Sequence, residues 1–153
     1  MKYIAPTLWI LVFQVIGWAI GLLTRQNMGW YDTLIKSPFN PPDIVFPIVW
    51  STLYALLALA GWLVWNARKK PGGNQAHNLY WMQMFLNWGW TFIFFEFHLI
   101  LLGFFWILAY LVAMLAFVAA AWTVERRASL LVIPTIVWGC FAAYLNYSIW
   151  TLN

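Results

Sequence analysis

The sequence predicts an all-α membrane protein: a five-transmembrane-helix bundle whose long first loop acts as a lid over one mouth. Three observations carry that expectation. First, 65% of the 153 residues are apolar and only 8% charged, far from the even apolar share and quarter charged share of soluble domains; the mean hydropathy is +0.77. Second, five apolar runs at 5–23, 44–65, 79–95, 99–124 and 128–152 contain no Lys, Arg, Asp or Glu, and all twelve charged residues lie between or outside them. Third, a bilayer core about 30 Å thick asks for about 20 apolar residues per helix, which these runs supply. They do not alternate as the strands of a membrane barrel would. The whole chain, 1–153, reads as one membrane domain.

The first span, at about 5–23, follows Lys2 as a secretory leader would. Its length, Gln14 and the bulky Trp9, Phe13 and Trp18 fit a retained helix instead. Gly17 and Gly21 form a GxxxG pair, and Ala116 and Ala120 a small-xxx-small pair in the fourth span; both allow close helix packing and weakly suggest a homodimer. From 24 to 43 the chain carries Trp30, Tyr31, Phe39 and prolines at 38, 41 and 42. Rigid prolines and aromatics in a loop of about 20 residues argue for an ordered segment, read here as the lid. The second span lies at about 44–65. The connector at 67–77, with its Arg-Lys-Lys-Pro-Gly-Gly run, reads as basic and flexible.

The stretch from 79 to 124 is too long for one helix and must turn, with Glu96, His98 and Gly103 marking the place. That gives spans at about 79–96 and 99–124; the fifth follows at 129–152. Lys2, Arg68, Lys69, Lys70, Arg126 and Arg127 then share one side, against Arg25 and Lys36 on the other. Positive residues mark the cytoplasmic face, so the N-terminus is expected inside and the first loop and C-terminus outside. The net charge of +4 follows from this bias and implies no nucleic-acid partner. The single Cys140 excludes a disulfide framework within the chain.

The charge-free spans restrict the chemistry. Ion-coupled pumps place ionisable residues inside the membrane, and none is present; no internal repeat supports an inverted-repeat transporter. A hydrolase needs a nucleophile beside a base, yet His77 and His98 are expected at opposite surfaces. They also cannot ligate one haem from both sides, although His98 alone could, against the alternative of an interfacial histidine. No metal site is expected.

Tryptophan is abundant instead, with 13 copies. Trp9, Trp65, Trp122 and Trp150 suit interfacial belts, whereas Trp88, Trp90 and Trp138 fall well inside spans. Asn87 lies mid-span, on one helical face with Gln83, Trp90, Thr91 and Phe94. Its amide must find a partner in lipid, either another helix or a ligand in an aromatic cage. Trp138, Ala142 and Leu145 form a comparable stripe on the last span. A hydrophobic ligand gains little by leaving lipid for an equally apolar pocket. Aromatic stacking, about 0.5–1.5 kcal/mol per pair, and one or two amides therefore favour a large flat ligand, a tetrapyrrole or a sterol.

Trp30-Tyr31-Asp32-Thr33-Leu34-Ile35-Lys36, Pro41-Pro42, Val49-Trp50-Ser51-Thr52-Leu53-Tyr54, Leu86-Asn87-Trp88-Gly89-Trp90 with Phe94-Phe95, and Pro134 to Tyr147 resemble, in order, the motifs of the translocator protein family. This family includes the tryptophan-rich sensory proteins and the peripheral benzodiazepine receptor. The resemblance implies a bacterial-type, often dimeric five-helix protein of the cytoplasmic (inner) membrane. Its expected ligands are tetrapyrroles such as protoporphyrin IX or haem, and isoquinoline or benzodiazepine compounds, with no cofactor required. Tyr31, Trp50, Asn87, Trp138 and Ala142 would line the pocket, with Trp30, Pro42, Tyr54, Trp90 and Leu145 nearby. Trp50 and Trp138 match indoles implicated in light-dependent porphyrin breakdown. Receptor and passive shuttle remain alternatives. Ser37, Phe39 and Pro47-Ile48 depart from the family pattern, and Thr151 stands where cholesterol-binding members carry a basic residue.

Overall fold

Continuous apolar sequence with its polar backbone buried in lipid must close its hydrogen bonds within each segment, which favours helix throughout. The computed structural model describes residues 4–153. Its elements are α1 (Ile4–Gln26), α2 (Met28–Thr33), α3 (Val45–Ala67), α4 (Gly73–Thr91) with a π-helical turn (Phe92–Glu96), α5 (Ile100–Val124) and α6 (Arg126–Leu152). Among the described residues there are thus six α-helices where five were expected. The added one, α2, sits in the expected lid loop. Lys2, counted toward the inside face, lies outside the described residues.

Four helices, α1, α3, α5 and α6, are long and apolar enough to cross a membrane. Helix α4 falls short on composition because it carries Asn74, Gln75, His77, Asn78, Gln83 and Asn87. Its 19 residues nevertheless extend about 28 Å at 1.5 Å per residue. It begins inside the segment read as a flexible connector. Gly72, at φ 76°, makes the left-handed turn that only glycine adopts freely, and its carbonyl accepts the Ala76 N–H at 3.1 Å. The connector shrinks to a few residues.

Around the bundle, α3 packs between α1 and α6, α5 between α6 and α4, and α4 returns toward α3 and α1. The main core joins Tyr54, Leu57 and Val64 of α3 with Tyr80 and Met84 of α4, Tyr110, Met114 and Phe117 of α5, and Val132 of α6. Close approach depends on small residues. A Cβ on Gly61 would strike the Tyr80 hydroxyl and ring, and one on Gly17 would lie 2.6 Å from the Tyr54 ring. Gly21, the other half of the GxxxG pair, meets nothing within 4 Å.

The turn between α4 and α5 lies before Gly103, at 97–99. The π turn closes with the Phe97 N–H on the Phe92 carbonyl at 2.9 Å, His98 takes φ 55°, and Leu99, at φ −91° and ψ 75°, forms an inverse γ-turn. Gly103 is instead a contact point inside α5: a Cβ there would come within 2.9 Å of the Asn146 amide oxygen.

Candidate functional site

The residues singled out from sequence fall into three groups in the structure. The first is a buried polar chain. Tyr54 on α3 donates to the Asn87 side-chain oxygen at 3.0 Å, and the Asn87 amide donates to the Tyr110 hydroxyl on α5 at 2.8 Å. Asn87 therefore ties three helices together, and one amide proton and one lone pair are left. All three side chains are almost fully buried. Trp50 stands one turn from Tyr54 with its ring 5.6 Å away. Half-buried, it packs against the main core.

The second group is aromatic and lies along α6. Trp138 meets Phe46 of α3 edge-on at 6.0 Å and Phe141 at 5.5 Å; Phe141 stacks toward Tyr144. Phe46, Trp50 and Tyr54 recur every four residues, so one face of α3 carries both indole neighbourhoods. Ala142 is half-buried and Leu145 buried on the same helix.

The third group forms around the π turn. Trp90 stacks on Phe94 at 5.0 Å and donates from its indole N–H to the Asn146 side chain at 3.2 Å. Asn146 in turn donates to the Ile100 carbonyl at 2.7 Å. A π turn inserts an extra residue into the helix, which lets both Phe94 and Phe95 face inward. Trp30 and Tyr31 of α2 pack on this pair, and Trp30 also stacks on His98 at 3.9 Å. Asn27, between α1 and α2, donates to Glu96 at 3.3 Å.

The segment after α2 is anchored to the bundle by side chains. The Asn153 amide donates to the Ile35 carbonyl and accepts from the Ile35 N–H, at 3.0 and 2.9 Å. Ser37 and Tyr144 hydroxyls pair at 2.9 Å. The Tyr31 hydroxyl donates to Asn40 at 3.1 Å, and burial pushes its pKa above the ordinary tyrosine value. Lys36 lies 4.4 Å from the Tyr31 ring centre. Pro42 is exposed; its carbonyl accepts the Val45 N–H at the start of α3.

Among the described residues no cluster of His, Cys, Asp and Glu can hold a metal ion. Tyr110 and Asn153 were not singled out from sequence, and Phe95, Tyr144 and Asn146 entered only as residues of the family motifs, with no place at the site. Asn146 and Tyr110 carried a usable signal, because a polar group inside an apolar span needs a partner just as Asn87 does. Asn153 carried none, since its role depends on which loop lies beside it.

The family model described as the TspO/MBR family matches residues 9–151. The tryptophan-rich protein TspO of Chlorobaculum tepidum is 36% identical over 151 residues, covering 90% of this chain and 89% of that protein. The tryptophan-rich sensory protein of Cereibacter sphaeroides is 35% identical over 128 residues, covering 81% and 77%. The translocator protein of Ovis aries is 35% identical over 142 residues, covering 84% and 77%.

Proposed function

From the premise that the chain belongs to the TspO/MBR family, and so is an integral membrane protein with a receptor or transporter role, we propose that it binds tetrapyrroles such as protoporphyrin IX. Isoquinoline and benzodiazepine compounds would share the site. The observation that carries this reading is the pair of half-buried indoles, Trp50 and Trp138, on neighbouring helices. One stands beside the amide network of Asn87 and the other beside Phe46. A flat polarizable ring system gains from stacking on such faces what plain apolar burial cannot supply in lipid. On this reading Tyr31, Asn87 and Ala142 line the rest of the site, with Trp30, Pro42, Tyr54, Trp90 and Leu145 nearby. The first loop, 24–43, acts as the lid on this reading, its Ile35 and Ser37 bonded to Asn153 and Tyr144.

Light absorbed by a bound porphyrin would be spent next to Trp50 and Trp138, and the reading includes light-dependent degradation there, with dissolved dioxygen as the oxidant. No nucleophile or base is needed for it. The lid and C-terminus face outward from a bacterial inner membrane, with Arg68, Lys69, Lys70, Arg126 and Arg127 inside. A homodimer would use the open face of α1 around Gly21.

Titration with protoporphyrin IX in the dark is expected to quench tryptophan fluorescence saturably, and Trp50→Phe or Trp138→Phe to weaken the response. Illumination should bleach the porphyrin in the unaltered protein and much less in either variant. Saturable binding indifferent to both substitutions would remove these indoles from the site. Equal porphyrin flux across liposomes with and without protein would separate reception from shuttling.

A further inference from the structure

The interior contains polar atoms that the proposed ligand site does not use. Among the described residues, four buried side-chain N or O atoms have no hydrogen-bond partner: both amide atoms of Gln83, the Thr135 hydroxyl and the Trp88 indole nitrogen. Gln83 and Thr135 are 0% exposed. An amide offers two donors and two lone pairs, and leaving them unpaired away from water is costly. Lipid cannot repair the deficit.

The contacts that α4 and α6 each make with α5 put the two residues near one level along the bundle. On α4, Gln83 lies between Tyr80, whose ring meets Phe117 of α5, and Asn87, which donates to Tyr110 of α5. That brackets Gln83 opposite Ala113 and Met114. On α6, Ser129 donates to the Val118 carbonyl, and Gly139 packs on Leu111 and Met114. That brackets Thr135 at Met114 as well. Thr135 and Gly139 are one turn apart on the same stripe, and Gln83 and Asn87 likewise, so both polar groups face the interior. Ala58, Ala113 and Gly139 are buried small residues at this level. Trp88, five positions from Gln83, turns toward Phe13 of α1 instead.

We propose that Gln83 and Thr135 share an internal hydration site, with ordered water donating to and accepting from both side chains in the centre of the bundle. Water is the ligand that fits, because it is small and supplies donors and acceptors at once. Buried waters characteristically make about three bonds to groups of this kind. The site lies one helical turn from the Tyr54–Asn87–Tyr110 chain and extends the polar interior past it. It is independent of the tetrapyrrole reading, since no residue is shared.

The test is water-to-side-chain magnetisation transfer in protein labelled with 15N glutamine and embedded in bilayers. Of the four glutamines, Gln14, Gln26, Gln75 and Gln83, the Gln83 signal is assigned by its loss in Gln83→Leu. A water cross-peak to the Gln83 amide is expected in the unaltered protein, falling in Thr135→Val as the shared water loses one partner. No cross-peak in the unaltered protein overturns the site. A cross-peak unchanged by Thr135→Val overturns its sharing between the two helices.

Discussion

Helices α1 and α4 invert the rule that apolar residues go inside. Helix α1 satisfies every requirement of length and composition for a span, yet Phe13 is its only buried residue. Helix α4 does not meet the apolarity requirement, and it buries Tyr80, Gln83, Met84, Asn87 and Thr91. In lipid, an apolar side chain gains little by choosing protein over acyl chains. A polar side chain must find a partner, so polarity draws a helix to the centre. Composition that identifies membrane residence most clearly therefore identifies the peripheral helix, and the helix hardest to assign is the one that organises the core.

The largest effect is expected from removing the partner that α4 supplies. Asn87→Ala strands the Tyr54 and Tyr110 hydroxyls together. The loss should be about 2 kcal/mol or more, since each orphaned buried group costs about 1–3 kcal/mol. SDS titration followed by tryptophan fluorescence measures it. A loss below about 0.5 kcal/mol, within the range of ordinary surface substitutions, would break the contrast, because the hydroxyls would then have other partners.

Next comes packing against α4. Gly61→Ala on α3 drives a methyl into Tyr80, which is itself fixed by a 2.8 Å bond to the Leu57 carbonyl. Overpacking of this kind costs about 1–3 kcal/mol, read in the same titration. Within α1 the two glycines should part company. Gly17→Ala meets the Tyr54 ring and should be felt, whereas Gly21→Ala meets open space and should stay within about 0.5 kcal/mol. Equal costs at both would mean that the Gly21 face of α1 is packed as closely as the Gly17 face.

The smallest effect belongs to neither helix. At the turn from α5 to α6, Glu125 accepts from Arg127 at 2.7 and 3.3 Å. That hydrogen bond holds its carboxyl below the ordinary carboxylate range, with Arg127 and Lys70 charges helping. A depressed pKa contributes stability that is present at neutral pH and lost as pH falls through the folded-state value. Glu125→Gln should lower stability slightly at pH 7 and not at all in acid, so that the acid side of its stability–pH profile is flatter. An unchanged acid limb would show that the pair contributes nothing.

Much of the fold was legible because charge placement in a membrane is nearly binary. Charged residues stay out of spans, so the runs declared themselves. The lid segment was less legible. Met28–Thr33 is too short to show a helical period, and it is helical here because Trp30 and Tyr31 find Phe94 and Phe95 to pack on. The start of α4 was hidden for a related reason. Arg-Lys-Lys-Pro-Gly-Gly looks like flexible chain, but a left-handed Gly72 and a buried Gly73 turn it directly into helix. Gly73 has Ala67 and Arg68 backbone against the place a Cβ would take, a demand no local pattern announces.

For the site, sequence named Asn87 as a polar group in need of a partner, and left open whether that partner was a helix or a ligand. The fold supplies two tyrosines from other helices, 33 and 23 positions away. The sequence by itself determined membrane residence, the apolar runs and the family, because hydropathy and ordered motifs are properties of the chain. Only the tertiary structure decided which helix is central, which glycine is a contact, and that Asn153 holds Ile35 across 118 positions. Those depend on pairings between segments, and in a bilayer the pairings follow the few polar groups that lipid cannot satisfy.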